Sequence, residues 1–213
     1  MSPPNAAQTA RERVRAELTR EIRQEARRQL AEAGANGLSL RAVARELGMV
    51  SSALYRYYPS RDDLLTALII DAYNAIGAAA EAAAEAGAAR AGTGAGPPAR
   101  ETWAAACRAI RAWAVANPHE YALIYGSPVA GYRAPEATIG PASRVPLAFA
   151  AILEDAVASA SVPADMLVRA TIAWTQLFGM ISFELFGQFV GSFEPADAFF
   201  DHAVAQLAAF IGL

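Results

Sequence analysis

Residues 39–65 read SLRAVARELGMVSSALYRYYPSRDDLL, and the fold follows from how this stretch divides. Ser39 is a candidate N-cap, because its hydroxyl can accept from orphan amides at a helix start. Leu40, Val43, Ala44 and Leu47 then recur at helical spacing, which makes one face of a short helix apolar. Gly48 follows the last of them, where a left-handed backbone usually ends a helix. A second short helix is expected from about Ser51 to Tyr58, ended by Pro59-Ser60 before Arg61 opens a third. Two short helices around a glycine turn form the helix-turn-helix pattern, whose second helix enters the DNA major groove.

At roughly 100° per residue, Leu54 and Tyr58 fall together and should pack inward. Ser52 and Arg56 project the opposite way with Ala53 beside them, and Tyr55 and Tyr57 flank that face. Small residues allow close approach to base edges, and an arginine there can pair bidentately with guanine. Tyrosine hydroxyls and nearby cations suit phosphate oxygens, which fix register rather than sequence. The same pattern also fits an ordinary αα-hairpin with a solvated polar face.

The run ELGMVSSALYRYYPSRDDLLTALI, preceded by LSLRAVAR, resembles the signature of the tetracycline-repressor (TetR) family of bacterial transcriptional regulators. The ordered set Gly48, Ala53, Leu54, Tyr55, Pro59, Ser60 and Leu64-Leu65 carries the resemblance, which covers about the first third of the chain. It implies that Ser39 and Arg41 meet phosphates and that Ser51, Ser52, Tyr55 and Tyr57 lie at the DNA surface. Two positions depart from the family pattern. Val50 stands where serine often caps the recognition helix, so Ser51 is expected to take over the cap. Tyr57-Tyr58 replaces the usual histidine or tyrosine before phenylalanine.

The chain has 213 residues, enough for one large domain or two small ones. Three parts are expected: a disordered tail over 1–10, a helix-turn-helix domain over 11–66, and a helical ligand-binding and dimerisation domain over 67–213. Hydrophobic residues make up 54% of it, yet no uninterrupted apolar run is long enough to span a bilayer. The start lacks the apolar segment of a secretory signal. A single cysteine, Cys107, excludes an internal disulfide and a cysteine metal cluster. Together these features predict a cytoplasmic protein.

All 18 basic residues are arginine, and the net charge is −3. Residues 1–66 carry +3 and residues 67–213 carry −6, so one end of an acidic molecule is basic. That asymmetry suits a protein offering DNA one end only. A long first helix is expected over Arg11 to Ala33, with Val14, Leu18, Ile22, Ala26, Leu30 and Ala33 as its stripe. Its arginines 11, 13, 15 and 20 could touch phosphates, but a solvated face laced with ion pairs is the reading favoured for most of them.

A helix from Ser60 continues through Leu64, Leu65, Leu68, Ile69, Ala72, Ile76 and Ala79 to about Ala86, with Asp62-Asp63 near its positive end. By the resemblance it links the DNA-binding head to the body. Gly87 to Pro98 reads as a flexible break, and its Gly92-Thr93-Gly94 lacks the strand and Lys-Ser/Thr of a phosphate loop. Further helices are expected over Ala99–Ala116, His119–Tyr125, Val145–Ser159, Ala164–Val190 and Ala196–Ile211, with a loop-rich stretch from Gly126 to Pro146. No β-alternation persists, so the class is all-α: a three-helix head on a larger helical body.

The body holds an aromatic set that fits either plain core or an effector pocket with a few polar anchors. The pocket candidates are Trp103, Cys107, Trp113, Tyr121, Tyr125, Thr171, Trp174, Thr175 and Phe178; Gln176 is a further anchor and Phe183 a further aromatic. Glu184 could anchor a cationic ligand, although pairing with an arginine is the commoner fate of such a glutamate. The last two helices offer more apolar surface than a small body can bury, which predicts pairing with a second copy through Phe186, Phe189, Phe199, Phe200 and Leu207. His119 and His202 lie apart from any nucleophile pattern, so no catalysis, metal or cofactor is expected. The reading is a transcriptional regulator, a repressor released from a palindromic operator by a small apolar or aromatic ligand. The alternative is a helical protein-interaction module with no specific DNA binding.

Overall fold

The computed structural model describes residues 6–90, 99–157, 161–193 and 196–213. Nine α-helices appear among them: α1 (Ala6–Gly37), α2 (Leu40–Glu46), α3 (Ser51–Leu54), α4 (Arg61–Arg90), α5 (Ala99–Ala116), α6 (Pro118–Tyr125), α7 (Ile139–Ala156), α8 (Ala164–Leu185) and α9 (Ala196–Ile211). The described residues contain no strand.

Helices α1 to α3 and the first turns of α4 enclose one apolar cluster of Ile22, Ala26, Leu38, Leu40, Val43, Ala44, Leu54, Tyr58, Leu64, Leu65, Leu68 and Ile69. Ser39 caps α2 by accepting from the Ala42 amide at 3.4 Å. Gly48 stops it at φ +64°, with Met49 N–H donating to Ala44 O at 2.8 Å and Gly48 N–H to Arg45 O at 3.1 Å. Those two bonds are the paired closure of a left-handed helix end. At the start of α4, Asp63 N–H donates to Ser60 Oγ while the Asp63 carboxylate accepts from the Ser60 amide, a reciprocal cap.

Helix α4 continues out of this cluster into a second one, built on Ile76, Ala80, Trp103, Ala106, Ile110, Tyr121, Phe149, Leu177 and Ile181. Its neighbours there are α5 and α7, while α8 and α9 pack on each other and on α5. Helices α4 and α8 are long and apolar enough to cross a membrane by length and hydropathy. In this fold α4 is instead the spine shared by both clusters.

Several expected boundaries move. Ala6 to Ala10, expected as tail, already belong to α1; residues 1–5 lie outside the described residues. Val14 and Ala33 face solvent, because the buried stripe of α1 is confined to Ile22, Ala26 and Leu30. The expected break at Gly87 is helical up to Arg90, and 91–98, including Gly92-Thr93-Gly94, fall outside the described residues. Helix α7 begins at Ile139 rather than Val145 and runs through Pro146. Pro141 sits in its first turn, where a missing amide costs nothing. Helix α8 stops at Leu185 rather than Val190. Gly187 takes φ +76°, and Gln188 N–H closes on Phe183 O at 2.8 Å. The expected end of the Val145 helix at Ser159 and the Pro195 start of α9 lie outside the described residues.

Candidate functional site

The second helix of the motif is shorter than its sequence suggests. Only Ser51–Leu54 is α-helical; Arg56 N–H then donates to Ala53 O at 3.3 Å and Tyr57 N–H to Leu54 O at 2.8 Å, so the last turn tightens before Pro59. The wheel survives that tightening. Leu54 and Tyr58 are buried, Ser51, Ser52, Tyr55 and Arg56 are exposed, and Ala53 and Tyr57 are half-buried at the edges. Val50 occupies the N-cap and no side chain caps this helix, so the expected cap by Ser51 is not formed. Ala53 N–H donates instead to Val50 O at 2.9 Å.

Arg41 is exposed on α2, and Ser39 is half-buried with its oxygen engaged at Ala42. One of the four α1 arginines for which phosphate contact is an open alternative joins them. Arg15 of α1 lies over the Tyr57 ring, 5.3 Å from its centre, and has no carboxylate partner among the described residues. By contrast Arg20 pairs with Glu17, and Arg28 with Glu25 and Glu32. No sequence periodicity could reveal a contact between residues 42 positions apart.

Behind this face, polar ties join head to body. Arg23 donates to the Tyr58 hydroxyl and to Asp71, each at 2.8 Å. Arg27 donates to the other oxygen of Asp71 at 2.8 Å and to Glu120 of α6 at 3.3 Å. The end of the recognition element is therefore connected through α1 and α4 to α6.

The pocket candidates separate into three groups. Trp103 and Cys107 are sealed in the core, Trp103 packing on Phe149 at 4.4 Å, and burial pushes the Cys107 thiol well up. Tyr121, Tyr125, Trp174 and Phe178 do form a contiguous aromatic group. Tyr125 lies 4.3 Å from Phe178 and 5.2 Å from Tyr121, and Trp174 lies 5.6 Å from Phe178. Tyr73 of α4 adds an edge contact to Tyr125 at 6.0 Å. Burial, with Tyr73 and Tyr121 nearby, raises Tyr125 far above the usual phenol value. Trp113 is half-buried against the same core. Thr171 and Thr175 lie outside it. Both are exposed, and their hydroxyls bond back to Leu167 O at 2.9 Å and Ile172 O at 2.7 Å, as helix threonines facing solvent do. Gln176 is exposed as well. Glu184 is no free anchor: Arg111 grips both its oxygens at 2.6 and 2.7 Å.

The proposed pairing surface also needs correction. Phe200 is 2% exposed, covered by Arg111 at 4.8 Å, and Leu207 packs into the protomer core. Phe189 meets Phe199 edge-on at 5.2 Å and Phe193 edge-on at 5.6 Å, while Phe199 stacks on Phe193 at 4.3 Å. Phe186 is exposed, as are Leu167, Val168, Ile172 and Phe183 along the outer side of α8 and Phe210 on α9.

Residues 22–68 match the family described as bacterial regulatory proteins, tetR family, and residues 103–207 match the tetracyclin repressor-like C-terminal domain. HTH-type transcriptional regulator Rv1816 of Mycobacterium tuberculosis is 37% identical across 84% of this chain and 84% of its own length. The corresponding regulator Mb1846 of Mycobacterium bovis matches equally. The crystal structure of SCO4313 superposes with a TM-score of 0.71 at 34% identity, covering 97% of this chain and 98% of that one. A two-part match along the chain, relatives of this identity and an outward-facing helix-turn-helix face lead to one assignment: the chain belongs to the TetR family and is a non-enzymatic, DNA-binding transcriptional regulator.

Proposed function

We propose that the protein is a cytoplasmic repressor that binds a palindromic operator as a homodimer and is released from it by a small molecule. The observation that carries this is the recognition element, where Ser51, Ser52, Tyr55 and Arg56 are exposed directly above a fully buried Leu54. Ser52, Tyr55 and Arg56 meet base edges or flanking phosphates with Ala53 allowing close approach, while Ser39, Arg41, Ser51 and Tyr57 hold the backbone. Residues 11–66 act as the DNA-binding unit and 67–213 as the ligand-binding and dimerisation unit, with α4 running through both.

The exposed apolar side of α8, together with Phe210, supports a dimer built on α8 and α9, the more so because an unpaired surface of that kind is unusual on a monomer. Two copies give one recognition element per half-site. Selection of bound duplexes from a random DNA pool, at about 0.15 M salt to suppress non-specific binding, tests the reading. Recovery of a palindrome is expected; recovery of no sequence would favour the interaction-module alternative. Sedimentation showing only monomer at micromolar concentration would remove the dimer.

A further inference from the structure

Several clefts open among the described residues, and their linings differ in charge. One on α5 and α9 is lined by Arg100, Glu101, Arg108 and Asp201, and one on α1 by Glu12, four arginines and Asp71. Another, about 790 Å³, lies between the end of α1, α6 and the end of α8, and no Asp, Glu or Arg lines it. A further cleft, against α4, α6 and the start of α7, is likewise lined without Asp, Glu or Arg but holds no residue of α1, so the α1–α6–α8 cleft is set apart by its place at the end of α1. Its size falls in the range of small-molecule sites. The walls are apolar and aromatic, with Leu30, Tyr125 and Phe186, and the polar groups are uncharged side chains such as Asn36 and Gln188, with His119 at the α6 side.

We propose that this junction cleft is a small-molecule site for an uncharged, flat, largely apolar aromatic compound bearing one or two hydrogen-bonding groups. The lining sets the class. An ionised ligand entering it would lose hydration and gain no counter-charge, whereas a neutral aromatic loses little and covers Leu30, Tyr125 and Phe186. The position sets the consequence, and here the inference rests on the ligand-responsive reading above. Leu30 and Asn36 belong to α1, whose Ile22 and Ala26 pack in the same cluster as Leu54 of the recognition element. His119 and Tyr125 belong to α6, which Glu120 ties to α1 through Arg27. Tyr125 also packs on Phe178 in the body's aromatic group. A molecule filling the cleft touches head and body at once, so it binds one head orientation better than another and shifts the population accordingly.

A matched pair of fluorescent probes tests this on the full chain. N-phenyl-1-naphthylamine is neutral, and 1-anilinonaphthalene-8-sulfonate is the same skeleton with an anionic group. The neutral probe is expected to bind at least about tenfold more tightly, a difference of roughly 1.4 kcal/mol. Ala122→Trp, which fills the cleft from α6, should abolish that binding. Gln188→Arg changes an exposed side chain of the cleft without disturbing the core, and it should raise affinity for the sulfonate relative to the neutral probe. Equal affinities in the wild type, or a probe ratio unmoved by Gln188→Arg, would overturn the assignment. Operator affinity is then measured with the neutral probe saturating. If the probe occupies the cleft and operator affinity does not change, ligand responsiveness fails while the binding site stands.

Discussion

Leu54 and Tyr55 are neighbours in sequence and should have opposite phenotypes. Leu54 is 0% exposed, within the cluster formed by α1 to α4, whereas Tyr55 is 41% exposed. Leu54→Ala removes three methylene-sized groups from a sealed site, and such truncations cost about 2–5 kcal/mol. Taking about 3 kcal/mol, and about 2–4 °C per kcal/mol for a chain of this size, the melting temperature should fall by roughly 6–12 °C. Tyr55→Ala leaves no cavity and should shift melting by at most about 2 °C, from the surface-substitution range. Circular dichroism melts of the two variants, paired with titrations of the selected operator, make the comparison. Tyr55→Ala should lose at least about tenfold in affinity at unchanged stability. A Leu54→Ala protein melting with the wild type, or a Tyr55→Ala protein with wild-type operator affinity, would refute the orientation of the recognition element.

Other outcomes follow from single positions. Gly48 sits at φ +64° with open space around it, so Gly48→Ala should lose about 1 kcal/mol through backbone strain alone, read by urea denaturation. Arg15→Gln should weaken binding to specific and mixed-sequence DNA alike and make the salt dependence shallower by about one unit per protomer; an unchanged slope would confine Arg15 to supporting Tyr57. The hydrogen bonds from Arg144 hold Glu81 below the ordinary carboxylate value of 4.5. Its stabilisation is therefore full above that value and disappears as pH falls through the lower folded value. Glu81→Gln should flatten the acid side of the stability profile and leave neutral pH less affected by salt. Cys107, sealed and with its thiol pushed up, should react with a thiol-specific reagent only after unfolding, and reaction in the native protein would contradict its burial.

The legible parts of this fold were those encoded by local chemistry. Ser39, Gly48 and Ser60 act within three or four residues of themselves, so capping and stopping rules located them. Leu54 and Tyr58 are set inward by helical geometry alone, and helices α5 and α9 have the limits their apolar spacing implies. The misread elements involve competition. The prolines and glycines from Gly126 to Pro146 predict a loop, yet α7 runs through Pro146 with Val145, Phe149 and Ile152 buried along the same helix. Gly187 ends α8 although a helix is expected to Val190, because its left-handed conformation closes bonds that a hydrophobicity pattern does not record.

Function divides along the same line. The sequence by itself determined the all-α class, the helix-turn-helix and the family, since capping, glycine placement and apolar period act locally and survive in one dimension. Only the tertiary structure decided which aromatics share a cluster, that Thr171 and Thr175 face outward, that Phe200 is covered by Arg111, and that Arg15 stands over Tyr57. It alone also brought an uncharged cleft to the joint between head and body. Those relations join residues tens of positions apart, and their geometry is fixed by how the helices pack, a quantity that no spacing along the chain contains.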